Sequence, residues 1–589
     1  MRLTPSWVAI AGVTASLAPW LAPSVTVTLP PTLAGEEIAL SSDLRIRVRL
    51  GRIIELSVLP APGEGYGEIA QRVAGNPDLG PVLSDWNGSR SPAGDLFVRV
   101  PLSLLSDEYR ALVLMNLFPE DRAEGGDWLH VARSGALPTY DEGLWQVAEW
   151  FTGDGSRFSE IQRANGLERP ELEAGQRVRI PAAMLHPAFR TPKRSADGAL
   201  AYAEDPDGPY AGYRLKRGEA LYSAVVVRFT GRTAAEDVMA ISAELARRSG
   251  IRDPTDIPVG HLVKIPYDVL EPEYLPPDHP RRVEAEAAKQ AMDQALVQEP
   301  VGKTQGGLEG VVVILDPGHG GRDLGTMNNG IWEHDYVYDV TCRLRRLLED
   351  RTQARVFSTV VDEETGCVPS EEDRLEANRQ GTVQTHPPFL ARADGEAAIA
   401  VNLRWYLANS IHRATTNRGT PTDRVVFLSL HADARHPSLR GVMVYVPGAG
   451  YREGSYGLSG ATYRRFEEVR EKPTVKFSYK SRVRSEALSR KLADRIVQGF
   501  ESQGLPVQPY KPVRDRIIRG RHEWLPAVLR GNEVPAKVLV ELVNLSNSQD
   551  AALLSSGSSR ERLAQALFVG LHGYFGEKVP VSETKIVGR

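Results

Sequence analysis

Three short strand-like runs fix what the second half of this chain can fold into. Val311-Val-Val-Ile-Leu315, Val425-Val-Phe-Leu-Ser-Leu430 and Lys537-Val-Leu-Val540 are nearly continuous in apolar side chains, with no alternation of apolar and polar positions. A strand with water on one face alternates, whereas a strand in a parallel sheet covered on both faces does not. Helical spacing follows the first and third runs. After Ile331, the apolar positions Val337, Val340, Leu344 and Leu347 recur at steps of three and four, and Arg560 to Phe575 is amphipathic. Strands alternating with helices predict an α/β domain over residues 310–578, with a mostly parallel twisted sheet and flanking helices. Ligands of such sheets bind beyond the carboxyl ends of the strands. His319, His431 and Glu541 each stand just past the end of a predicted strand.

These residue types carry a chemistry. Two neutral imidazoles and one carboxylate form a common protein ligand set for a catalytic Zn²⁺, leaving a coordination position for water. His319, Glu333 in the first turn of the following helix, and His431 are therefore the expected ligands of one zinc ion per domain. Glu541 remains as the general base and acid that moves a proton from water to the leaving group. Asp316 is either a candidate hydrogen-bond partner of a ligand histidine or a cap of its turn. His334 adjoins Glu333 and is a weaker rival ligand, because a helix points neighbours in different directions. His386, His412, His436 and His522 are read as surface or core residues, and Lys480, Arg482 and Arg484 as a solvated charged face. No Gly-x-Ser-x-Gly elbow marks a serine hydrolase, and no carboxylate pair placed for sugar cleavage competes with the zinc set.

Taken together, Asp316-Pro-Gly-His-Gly-Gly321, Glu333 fourteen positions after His319, Ser429-Leu-His431-Ala-Asp433, and Val538-Leu-Val-Glu541 followed by Leu545-Ser-Asn547 resemble the zinc-dependent N-acetylmuramoyl-L-alanine amidases of the Amidase_3 family. Arg404, Ala408-Asn409, Gly441, Tyr445 and Val528-Leu529 fit the same pattern. The resemblance implies hydrolysis of the amide between N-acetylmuramic acid and L-alanine in peptidoglycan, for wall remodelling or daughter-cell separation. It also implies zinc on His319, Glu333 and His431, with Glu541 catalytic. In some members an inserted helix covers the zinc until an activator protein displaces it. Here residues 362–398, with Cys367 and the prolines 387 and 388, and residues 451–483 are insertions, and Leu542-Val-Asn544 departs from the small residue, Gly and Phe usual in the family. A catalytically silent or autoinhibited peptidoglycan-binding protein of the same fold is the alternative reading.

The first half contains self-similar segments. Gly94-Asp-Leu-Phe-Val-Arg-Val-Pro101, Gly175-Gln-Arg-Val-Arg-Ile-Pro181 and Gly260-His-Leu-Val-Lys-Ile-Pro266 each read as a turn glycine, a short strand and a stopping proline. A short amphipathic helix precedes each, at Tyr66 to Val73, Leu144 to Phe151 and Leu221 to Phe229. Trp86-Asn87, Leu144-Trp145, Ala164-Asn165-Gly-Leu167 and Tyr213 with Gly218-Glu219 resemble the LysM domain, a small βααβ module that binds N-acetylglucosamine-containing glycans. The third copy lacks the asparagine. The expected order is a signal peptide or N-terminal anchor at 1–25, LysM-like repeats at 52–105, 127–185 and 211–270, linkers at 186–210 and 271–309 (the latter with a charged helix), and the amidase-like domain from 310.

Charge and cysteine content narrow the partners. Lys and Arg number 71 against 75 Asp and Glu, which gives no basic footprint for nucleic acid. Met1-Arg2 and the apolar run from Trp7 to Ala22 read as a secretory signal, placing the protein in the periplasm or cell envelope with no membrane span in the mature chain. Cys342 and Cys367 pair in an exported protein or are inert thiols; spacing alone does not choose. Gly302-Lys303-Thr304 fails as a phosphate loop because position 297 is Val where that motif needs Gly.

Overall fold

The computed structural model describes residues 37–49, 53–132, 143–189, 195, 197–298, 308–328, 330–393 and 395–576. The secretory segment 1–25 and Gly302-Lys303-Thr304 lie outside them. The chain divides into two compact units, Met1–Phe189 and Arg190–Arg589.

The first unit holds two repeats on one continuous apolar core that includes Ile69, Val73, Val100, Phe118, Phe151 and Ile180. In the first repeat, strand Ile53–Val58 is followed by helices Tyr66–Ala74 and Gly80–Trp86 and by strand Val98–Pro101, which returns antiparallel to it. In the second, Asp127–Val131 and Arg177–Ile180 pair antiparallel around helices Leu144–Thr152 and Phe158–Ala164. One asparagine closes each unit in the same way. Asn87 donates to the Leu83 and Arg99 carbonyls and accepts the Arg99 amide. Asn165 does the same with Ile161 and Arg179. Its side chain satisfies an orphan carbonyl at the helix end and locks that end to the closing strand.

The second unit begins with the third repeat, where one expectation needs correcting. The 186–210 stretch is not all linker: Ala201–Asp205 is a strand, paired antiparallel with Gly208–Arg214 across a tight turn. Its sequence, Asp205-Pro-Asp-Gly208, is turn chemistry for a hairpin. The missing asparagine is replaced by Ser249 at the end of helix Ala235–Arg248, whose hydroxyl accepts the Lys264 amide at 2.9 Å from the closing strand Leu262–Pro266.

The α/β domain contains strands β1 (Val312–Pro317), β2 (Arg355–Ser358), β3 (Val425–His431), β4 (Met443–Tyr445), β5 (Val513–Arg514) and β6 (Ala536–Glu541), in the spatial order β2-β1-β3-β6-β4-β5. The first four in that order run parallel, and β4 turns antiparallel to β6, so the sheet is mixed with a parallel core. Successive residues of β1 and β3 enter different cores. Val313, Leu315, Val426 and Leu428 meet helices α1 (Glu333–Arg351), α3 (Tyr479–Ser502) and α4 (Gly557–Tyr574). Val312, Ile314, Val425 and Phe427 meet α2 (Ala397–Asn417). Each such side chain contributes roughly 1.5–3 kcal/mol on full burial, which explains runs without alternation. The charged helix Pro280–Gln298 lies along α3. Arg482 does not belong to a solvated face, since it donates to the carbonyls of Ala449 and Arg452. Cys342 of α1 and Cys367 form a disulfide. No described helix is long and apolar enough to cross a membrane.

Candidate metal centre

The carboxyl ends of β1, β3 and β6 build the site. Beyond β1 the chain must turn beside β3 at close range. A Cβ on Gly318 would stand 2.6 Å from the His431 ring, so only glycine fits there. His319 then takes a left-handed backbone, φ 65°, a conformation histidine tolerates better than most residues. Helix α1 starts with Glu333, whose side chain turns back under this loop, and Gly325 leaves room for it: a Cβ there would lie 2.6 Å from Glu333 Oε2.

One ligand atom from each of His319, Glu333 and His431 lies within 4.8 Å of the others. Glu333 Oε2 is 3.2 Å from His319 Nε2, and Oε1 is 2.9 Å from His431 Nδ1. Glu333 is sealed, its side chain 3% exposed, while the imidazoles of His319 and His431 keep 23% and 15%. The buried carboxylate thus sits at the floor of a site that opens to solvent through the two histidines. Asp323 Oδ2 accepts from His319 Nδ1 at 2.9 Å, which fixes the tautomer and leaves Nε2 for the cluster. Burial lowers the basicity of His319, but Glu333 and Asp323 outweigh it and hold its pKa up to about 10. A field that favours a proton on Nε2 to this degree also favours a cation there. Two nitrogens and one carboxylate, with an acid supporting a ligand imidazole, fit Zn²⁺.

One assignment made from sequence changes. Asp316 makes no hydrogen bond to His319 or His431. It is fully buried in a pair with Arg404, Nε to Oδ1 at 2.7 Å and Nη2 to Oδ2 at 2.5 Å, and accepts from the Thr359 and Ser429 hydroxyls. It pins β1 and β3 to α2, and Asp323 is the supporting acid instead. His334 points away from the cluster, its Nδ1 donating to the Gly318 carbonyl at 2.6 Å. Burial drops its pKa to about 4, so it is a neutral brace for the His319 loop.

Glu541 faces His431 in register on the adjacent parallel strand. Its Oε2 accepts the Asp433 amide at 2.9 Å, and Arg435 Nη2 donates to Oε1 at 3.1 Å. Burial pushes its carboxyl up. Arg435 offsets part of this, Asp433 and Glu333 add to it, and the result is about 8. A carboxyl poised near neutrality beside this candidate cation cluster is equipped to exchange protons. Arg435 was not anticipated; the available signal was a charged residue four positions after His431 in a segment bound to be buried.

Residues 313–572 match the family model described as N-acetylmuramoyl-L-alanine amidase. All four site residues fall inside that span. Residues 141–181 match the LysM domain model. An uncharacterized cell wall amidase of Bacillus anthracis is 24% identical over 299 residues, covering 50% of this chain. This chain spans 41% of that relative's length. Among solved structures, the N-acetylmuramyl-L-alanine amidase Ami1 of Mycobacterium smegmatis is 21% identical over 46% of this chain and 99% of its own, with a TM-score of 0.29. The CwlD amidase of Clostridioides difficile, solved in complex with the GerS lipoprotein, is 19% identical over 45% and 98%, also at 0.29.

Proposed function

We propose that the amidase-type domain hydrolyses the amide between N-acetylmuramic acid and L-alanine in peptidoglycan, at a zinc ion held by His319, Glu333 and His431. The observation that carries this reading is the convergence of those three donors, with Glu541 ending β6 in register with His431 at the end of the adjacent parallel β3. Bound zinc supplies a polarised scissile carbonyl and an acidified water. Asp323 keeps the His319 ring turned so that Nε2 faces the cluster. The Glu541 carboxylate takes the proton of the attacking water and returns it to the nitrogen of the departing L-alanine amine. Arg435 and the Asp433 amide hold that carboxylate in one orientation. A cation beside Glu541 stabilises its ionised form, which the base step requires. The repeats tether the enzyme to glycan strands and raise its local concentration. The protein acts outside the cytoplasm, in the periplasm or cell envelope, in wall remodelling or cell separation, with an activator protein as a further partner.

The test is digestion of insoluble peptidoglycan followed by mass spectrometry of the soluble products. Free stem peptides with an L-alanine amino terminus are expected. They should vanish on chelation, and Glu541→Gln should lower kcat by about 10²–10⁴-fold. Sugar fragments bearing intact stems would replace this reading with glycan cleavage, and wall binding without products would leave a silent binding protein.

A further inference from the structure

The third repeat is built into the edge of the metal centre. Arg435, buried at 8% exposure, bridges the two. One guanidinium nitrogen, Nη2, reaches Glu541 Oε1 at 3.1 Å and Asp433 Oδ2 at 3.2 Å. The other, Nη1, donates to the hydroxyl of Thr233 at 2.9 Å and to that of Tyr445 at 3.0 Å. Thr233 belongs to the third repeat, in the turn before helix Ala235–Arg248, and is itself buried. Its carbonyl also accepts the His436 amide at 3.1 Å.

The attachment is wider than one bond. The Tyr222 ring stacks on His436 with centroids 5.1 Å apart. Leu439, from the loop after β3, is a member of the repeat's own apolar core. Arg514 of β5 donates to the Gly231 carbonyl at 2.5 Å. Glu271 pairs with Arg516 at 2.7 Å and with Lys511. A wall-binding module on a flexible tether needs none of these contacts, and a guanidinium shared between its hydroxyl and the Glu541 carboxylate couples its seating to the carboxylate's position.

We propose that the third repeat is part of the active-site framework, and that Thr233 is a positioning residue which orients Glu541 through Arg435. This rests on the amidase reading for its catalytic consequence, but the ordering of the Arg435–Glu541 pair is measurable by itself. The probe is the full-length chain acting on a soluble disaccharide-peptide, so that wall binding does not enter. Thr233→Val keeps the shape and the carbonyl but removes the acceptor; Thr233→Ser restores it. The expected result is kcat lowered about tenfold in Thr233→Val, as for a misplaced catalytic group, with KM, metal content and thermal midpoint unchanged, and recovery in Thr233→Ser. Unchanged kcat overturns the proposal, as does a joint fall in kcat, apparent affinity and thermal midpoint that serine fails to rescue. If the wild-type chain releases no stem peptide, the amidase reading fails and amide hydrogen exchange decides this one. Faster exchange of the Asp433 amide, the donor to Glu541, in Thr233→Val than in Thr233→Ser supports it, and equal rates sink it.

Discussion

At the scale of single residues, two neighbouring acids do different work, Asp316 tying strands to a helix and Asp323 holding His319. Asp316 and Asp323 flank the same histidine in the chain, and only geometry tells them apart. Asp323 supports His319, so Asp323→Ala should weaken metal affinity about 10–100-fold, read by competition with a chromophoric chelator. Asp316 supports the sheet. Burial raises its carboxyl, but Arg404 and the Ser429 and Thr359 hydroxyls outweigh that and hold it below the ordinary carboxylate range. The sign follows: a depressed folded pKa gives stability that is complete above about pH 4 and lost as pH falls through the folded value. Asp316→Asn strands the buried Arg404 and should cost about 3–5 kcal/mol at neutral pH. Denaturant midpoints measured from pH 7 down to 3 should show that gap narrowing with acid. The positions of His319, His431 and Glu541 were legible because strand ends advertise themselves in an apolar run, and that of Glu333 because it opens the helix that follows. Asp323 and Arg435 were not, since hydrogen bonds within turns leave no periodic trace.

At the scale of elements, the sequence was most readable where a strand is buried on both faces. β1, β3 and β6 fall within a residue or two of the runs that predict them. Ala201–Asp205 was missed because its turn residues and charges have the composition of a linker, and only its pairing partner reveals a strand. The repeat asparagines were noticed as a pattern, but their purpose lies in the fold. Asn165 makes three hydrogen bonds that join helix to strand. At about 1 kcal/mol net for each, Asn165→Ala should destabilise the second repeat by roughly 2–3 kcal/mol. Calorimetry of the full chain should show the unfolding transition of the first unit moving down while the α/β transition stays in place.

At the scale of the whole molecule, the cysteines settle a choice that spacing left open. The bond between Cys342 and Cys367 closes a loop 25 residues apart in sequence, and cross-links of this kind persist in oxidising compartments, which supports the export proposal. The predicted boundary at residue 310 runs between elements that share a core. A fragment beginning there leaves Leu439 bare and strips Glu271 from Arg516 and Lys511. It should unfold at a lower temperature than a fragment beginning at residue 195, and scanning calorimetry of the two checks this.

The insertion of Leu439 into the core of the third repeat also bears on ancestry. A domain can be shuffled between genes only if its cut ends leave a surface that water tolerates. In this chain the third repeat has surrendered that freedom. A crossover at residue 310 would part Leu439 from the apolar core it joins, so a cut ahead of the third repeat is the one expected to keep that core whole.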